Sequence, residues 1–315
     1  MERANINNID ISIIIVSYNT KDLLLNCIRS IVDTVKKTKY EIIVVDNAST
    51  DGTCGAISNF KFQPRLNRGQ ISNFKLIKSD KNIGYSAANN IGVKQSKGRF
   101  VLFLNPDTLI YEKTIDGMVK FMDENEKVGA ATCFVELPNK ELDDAAHRGF
   151  PTPWRAFSHF SYLSKIFPQQ KLFSGYSLSH LDLEHSHDID ACAGAFMIVR
   201  REAGEEVKWW DESFFWYGED LDFCYRLKEK GWKIFFVPDY KILHYKGVSG
   251  GIKNISRHLS IADKETKTQA INARFKAMEV FYNKHYQNKY PFIISSLIKT
   301  GIKSRWFMSR LRNQI

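Results

Sequence analysis

Polar and acidic residues gather at points where apolar runs of this chain end. Ser17, Tyr18 and Asn19 close the run at 11–16, and Asp46 to Gly52 close the one at 41–45. Asn82, Ile83 and Gly84 follow the run at 74–77, and Asn105, Pro106 and Asp107 follow the one at 99–104. Singly, Asn, Asp and Gly there are ordinary turn formers or helix caps. Together on one sheet edge they would build a concave polar site, because open α/β sheets bind ligands at the carboxyl ends of their strands. A further acidic pair, Glu219 and Asp220, follows Phe214, Phe215, Trp216 and Tyr217. A carboxylate so placed can accept a proton from an attacking hydroxyl, and the rings can keep water out. The plainer alternative is that both acids only complement a helix dipole.

Elements must carry these residues. The β-branched runs at 11–16 and 41–45 predict strands buried on both faces, as in a parallel sheet. Further strands are predicted over 74–77, 99–104, 128–135, 189–200 and 233–237, the last stopped by Pro238. Helical spacing covers 22–35, 86–95, 114–125 and 219–230, the last closed by Gly231 with Asp222 and Arg226 at i, i+4. Alternation of strands and helices through the first 135 residues predicts an open α/β sheet. The connection after Asp51 reads as a loop, and 138–188 as a long excursion over the functional edge.

The 315 residues carry 45 Lys/Arg and 35 Asp/Glu, a net +10. Residues 272–315 hold nine of those cations and one acid, Glu279, so the body is nearly neutral. That distribution argues against a nucleic-acid-binding body and for a polyanionic partner of the tail. Aromatic and aliphatic residues interleave with the tail's cations, as in a segment lying on anionic lipid; the alternative is a helix packed on the body with a solvated basic face. The odd set of Cys27, Cys54, Cys133, Cys192 and Cys224, with no C-x-x-C, reads as reduced thiols of a cytoplasmic protein. Residues 1–10 lack the apolar core of a secretory signal, and no run is long enough to span a bilayer. G-x-x-x-x-G-K-[ST] and a G-x-G-x-x-G following a strand are both missing, which argues against a P-loop or dinucleotide-binding unit.

Five segments in order carry a resemblance: Ile-Ile-Ile-Val-Ser-Tyr-Asn (13–19), Val-Asp-Asn-Ala-Ser-Thr-Asp-Gly (45–52), Asn-Ile-Gly-Tyr-Ser-Ala-Ala-Asn-Asn-Ile-Gly (82–92), Leu-Asn-Pro-Asp (104–107) and Phe-Trp-Tyr-Gly-Glu-Asp-Leu-Asp (215–222). They resemble the family 2 glycosyltransferases, inverting enzymes of the GT-A fold, and within them the rhamnosyltransferase-like subgroup. The resemblance covers about residues 10–250 and implies a GT-A catalytic domain over 1–260. In that domain about 10–110 would form the nucleotide-sugar half and about 111–260 the acceptor half, with a basic helical extension over 261–315.

The resemblance implies roles. Ser17, Tyr18, Asn19, Asp46, Asn82, Gly84, Asn90, Asn105 and Asp107 would hold the donor, Asp46 reading a pyrimidine base. Asp107 stands at the family's metal-binding D-x-D position, where Asn105 replaces the first Asp, and His244 resembles a C-terminal metal-ligand histidine. The ion would be Mg²⁺ or Mn²⁺, since both prefer oxygen ligands. Asp220 would be the catalytic base and Glu219 an acceptor-hydroxyl ligand. Asp190 to Phe196 resembles the small-residue segment beside the donor sugar, or is a tightly packed strand. Expected donors are dTDP-rhamnose or a UDP-sugar, and the acceptor a glycan or lipid-linked glycan of a bacterial surface polysaccharide. The protein would act in the cytoplasm, peripheral to the inner face of the cell membrane. A sugar-1-phosphate nucleotidyltransferase is the alternative enzyme, but Ser17 to Lys21 lacks its Gly-rich basic loop. An inactive membrane scaffold would be expected to have lost Asp46, Asp107 and Asp220.

Overall fold

The computed structural model describes residues 9–60, 71–247 and 264–312. Its centre is a mixed sheet that begins with four parallel strands. β1 (Ile11–Ser17) lies between β2 (Tyr40–Asp46) and β4 (Phe100–Leu104), and β3 (Ile71–Lys78) flanks β2. β5 (Thr108–Ile110), β6 (Val128–Glu136), β7 (His187–Asp188), β8 (Phe196–Arg200) and β9 (Lys233–His244) complete it in the order β3-β2-β1-β4-β8-β6-β9-β5, with β7 on β9.

The apolar run of β1 is buried on both faces because each face has its own core. Ile11, Ile13 and Ile15 pack with Leu24, Cys27, Ile28 and Ile31 of α1 (Lys21–Thr34). Ile14 and Val16 pack on the other face with Ala88 and Val93 of α3 (Tyr85–Lys94). The same face holds Phe223 and Leu227 of α9 (Glu219–Glu229). Each fully buried Ile, Leu or Phe among them contributes about 1.5–3 kcal/mol. α2 (Thr53–Phe60) and α4 (Thr114–Glu124) lie on the first face, through Ile57, Phe60, Ile115 and Met118.

Several elements differ from expectation. The strand predicted over 189–200 is regular only in β8; before it, Ala191 makes an isolated bridge with Arg148. β9 does not stop at Pro238. It runs to His244 with a register jump from Cys133↔Val237 to Phe134↔Lys241, and a bulge accommodates a proline that cannot donate. The excursion contains three short helices, α5 (Pro153–Phe160), α6 (Leu163–Ile166) and α7 (Lys171–Ser174). α2 opens the connection after Asp51, and α8 (Arg201–Glu206) follows β8. The expected boundary at 260–261 lies outside the described residues. Beyond it, α10 (Lys264–His285) packs on the body through Ala277, Phe281 and Tyr282 against Phe214, and α11 (Phe292–Arg312) lies on α10.

Candidate active site

The carboxyl ends of β1 and β4, the end of β9 and the amino end of α9 surround one cavity of about 490 Å³. Tyr18, Asn82, Gly84, Asn105, Asp107, Glu219, Asp220 and His244 all line it. Four other expected residues do not. Ser17 is buried and its hydroxyl pairs with that of Thr20 at 2.9 Å. Asn19 bridges to the second loop, taking a bond from Thr50 N (2.8 Å) and giving one to Ser49 Oγ (2.9 Å). Asn90 braces the segment before the aromatic loop, donating to Trp210 O and Glu212 Oε1, both at 2.9 Å. Asp46 accepts through Oδ2 from Ser49 N (3.1 Å) and Cys54 Sγ (3.2 Å), while its buried Oδ1 has no partner.

Asp107 and His244 come together because β5 pairs with the end of β9, and Tyr245 N donates to Asp107 O at 2.9 Å. His244 Nε2 lies 3.4 Å from Asp107 Oδ1, close enough for an ion pair but without hydrogen-bond geometry, so this buried nitrogen has no partner. Its other nitrogen, Nδ1, bonds Asp143 Oδ2 at 2.9 Å. A carboxylate behind a histidine fixes its ring and raises its basicity as a metal ligand. Asp143 also takes Lys246 Nζ at 2.5 Å. Burial works against the imidazolium, yet Asp107 and Asp143 outweigh it and raise His244 to about 9. Burial likewise opposes the Asp143 anion, and His244 with Lys246 holds it well below the carboxylate range.

A divalent cation fits this pair. The unpartnered Nε2 and the facing Oδ1 offer it one nitrogen and one oxygen, and its charge would neutralise the acids around it. No group of three or more His, Cys, Asp or Glu forms a metal cage among the described residues. An open pair of this kind suits Mg²⁺-type ions, which take remaining ligands from water and substrate phosphates.

Across the cavity, the loop 214–218 turns into α9 at Gly218, whose φ of +81° is one glycine adopts freely. The same loop is stitched to α3: Tyr85 N donates to Phe215 O and Ser86 Oγ to Phe214 O, both at 2.8 Å. Gly84 (φ +85°) makes room for it, since a Cβ there would stand 2.7 Å from Phe215. Asp220 Oδ2 is ion-paired with Arg148 at 2.5 Å, both side chains 13% exposed. Glu219 is buried with Oε2 unpartnered; burial first, then the neighbouring Asp220, raises its pKa. A neutral Glu219 can donate a hydrogen bond. Asp222 points away, to Arg226 at 2.7 Å, Lys284 at 2.7 Å and His285 at 2.8 Å, and therefore orders α9 against α10.

Arg148, Asp143 and Lys246 had no signal at the sequence level. The first two sit in the aperiodic excursion, and all three reach the site only through pairings distant in sequence. His187 meets His147, Nε2 to Nε2 at 2.7 Å.

The family model for glycosyl transferase family 2 matches residues 12–208. The chain belongs to that family. Among its curated relatives, an N-acetylglucosaminyl-diphospho-decaprenol L-rhamnosyltransferase of Mycobacterium tuberculosis is 27% identical over 236 residues, 71% of this chain and 72% of the relative. Rhamnosyltransferase WbbL of Escherichia coli K12 is 28% identical over 175 residues, 51% of this chain and 61% of the relative. Among solved structures, the mannosyltransferase PcManGT of Pyrobaculum calidifontis, in complex with GDP-Man and Mn²⁺, superposes with a TM-score of 0.53 at 16% identity, over 94% of this chain and 80% of that one. The fold of this family 2 glycosyltransferase is therefore GT-A.

Proposed function

We propose that this family 2 enzyme transfers a sugar, with inversion, from a pyrimidine nucleoside diphosphate donor to a hydroxyl of a lipid-linked glycan, in bacterial surface-polysaccharide synthesis at the inner face of the cell membrane. The observation that carries the reading is that Asp107 and His244 share a single cavity with Glu219 and Asp220. The two relatives' names support rhamnose as the sugar, with dTDP-rhamnose preferred over a UDP-sugar, and the mycobacterial relative's name supports a lipid diphosphate acceptor.

Asp107 and His244 would hold Mg²⁺ or Mn²⁺, which offsets the charge that develops on a diphosphate leaving group. The free Oδ1 of Asp46 suits the imide N–H of a pyrimidine base, although Asp46 stands outside the cavity wall. Asp220 takes the acceptor hydroxyl's proton. Arg148 holds its carboxylate in place and supplies the counter-charge. Neutral Glu219 donates to a sugar hydroxyl, and Phe215, Trp216 and Tyr217 limit the entry of water that would hydrolyse the donor.

The test combines a nucleotide-sugar panel, read by thermal shift with and without Mn²⁺ or Mg²⁺, with Asp220→Asn. The variant should keep the donor-induced shift and lose transfer by about 100-fold or more. Transfer within a few-fold of wild type would remove Asp220 from this role. Asp107→Ala should abolish the metal-dependent part of the shift.

A further inference from the structure

Exposed apolar surface is concentrated in two places. Of seventeen large apolar side chains exposed among the described residues, six fall within 154–172 and seven within 292–311. In the first segment Phe157, Ile166 and Leu172 are 57%, 63% and 62% exposed. In α11, Leu297, Met308 and Leu311 are 68%, 55% and 63% exposed. The opposite face of α11 is satisfied by α10: Ser295 Oγ meets the Tyr282 hydroxyl at 2.9 Å, and Trp306 Nε1 donates to Asn272 Oδ1 at 2.8 Å.

Both segments are also free of acids. Residues 145–181 contain no Asp or Glu, and α11 carries Lys299, Lys303, Arg305, Arg310 and Arg312 with no acid. The segments touch, because the Arg305 guanidinium lies 3.9 Å from the ring centroid of Phe160 in α5. They also share the wall of the catalytic cavity, to which α5 contributes Ala156 and Phe160, and α11 contributes Ile298 and Ile302.

Exposed apolar side chains concentrated in this way mark an interaction site, and the interleaved cations select the partner. A second copy laid on the same face would bring cations against cations. A bilayer with anionic headgroups gains about 1 kcal/mol per nearby Lys or Arg and accepts the apolar side chains at its acyl boundary. No described helix is long and apolar enough to cross a membrane, so the seat is interfacial.

We propose that α5–α7 and α11 form one face that binds anionic membranes and brackets the catalytic cavity, so that the glycan head of a lipid-linked acceptor reaches Asp220 while its lipid stays in the bilayer. The basic tail is thus only half of the contact; the excursion supplies the other half. The clause about the acceptor rests on the proposed function, whereas the membrane face stands without it.

Flotation of the full chain with phosphatidylglycerol–phosphatidylcholine vesicles, and with phosphatidylcholine alone, tests the face. Wild type should float with the anionic vesicles only. Phe157→Ser/Ile166→Ser/Leu172→Ser and, separately, Leu297→Ser/Met308→Ser/Leu311→Ser should each reduce partitioning about tenfold or more, since each removes three exposed apolar groups that the bilayer would bury. Trp154, 44% exposed in α5, should be quenched by brominated lipid, and Trp154→Phe should remove that part of the quenching. The donor-induced thermal shift, measured on the same proteins, reports folding and the transferase reading separately. Vesicle binding without any donor shift would sink that reading and spare the face. Wild-type partitioning by the excursion variant, equal flotation on phosphatidylcholine, or a concentration-dependent dimer by light scattering with no vesicle binding would each overturn the proposal.

Discussion

Arg148 brings a cation to the amino end of α9, where Glu219 is buried and Asp220 nearly so. Its guanidinium pairs with Asp220 at 2.5 Å while burial, and then Asp220, raises the pKa of Glu219 beside it. Removing one partner of a buried ion pair costs about 3–5 kcal/mol. Arg148→Met is therefore expected to lower Tm and to reduce transfer by about 100-fold with the donor-induced shift intact; Arg148→Lys should recover part of both. Glu219 yields a second prediction, with a defined sign. Its folded pKa is raised, so above the ordinary glutamate value of about 4.3 the unfolded chain releases a proton that the folded chain keeps. Its contribution to stability accordingly falls as pH rises toward the raised value. Glu219→Gln should raise Tm near neutral pH, and the difference should vanish near pH ~4; an equal difference at both pH values would mean that Glu219 is ionised in the folded protein.

At the scale of elements, Asp222 shows how a buried carboxylate joins helices. It is fully buried and binds Arg226 of its own helix with Lys284 and His285 of α10. Burial opposes its charge, but His285, Arg226 and Lys284 depress its pKa. The stability it contributes is present above the unfolded value of about 3.9 and is lost as pH falls through the depressed one. Asp222→Asn should cost about 3 kcal/mol at neutral pH, read by denaturant unfolding, and less in acid. Which elements were legible follows from where their signals lie. β1 and β2 announce themselves because both faces are buried, so nearly every residue is apolar. β5 has only three residues, and β9 hides behind Pro238, whose bulge is a property of its partner's register. α5–α7 are too short to show a period. Asp107, Asp220 and His244 were legible as types at strand and helix ends. Arg148 was not, since its place depends on the bridge to Ala191 and on where α9 begins.

For the whole molecule, the basic extension is two structures with different obligations. α10 packs on the body: its Ala277, Phe281 and Tyr282, with Tyr286 just beyond its end, cluster with Phe214, the residue that opens the loop leading to Glu219 and Asp220. α11 rests on α10 by one face and leaves the other to its surroundings. A cut at residue 272 would strip the aromatic cluster from Phe214, each large side chain worth about 1.5–3 kcal/mol of burial, and would release Asp222 from Lys284 and His285. A cut at residue 290 keeps those contacts and removes the five cations and the outward apolar face of α11. The shorter chain is therefore expected to lose Tm, donor-induced shift and vesicle binding together. The longer one should keep the donor shift, lose at most a few degrees, and bind anionic vesicles only through α5–α7. If the chain cut at 272 unfolded at the same temperature as the full protein, α10 would not be part of the catalytic body.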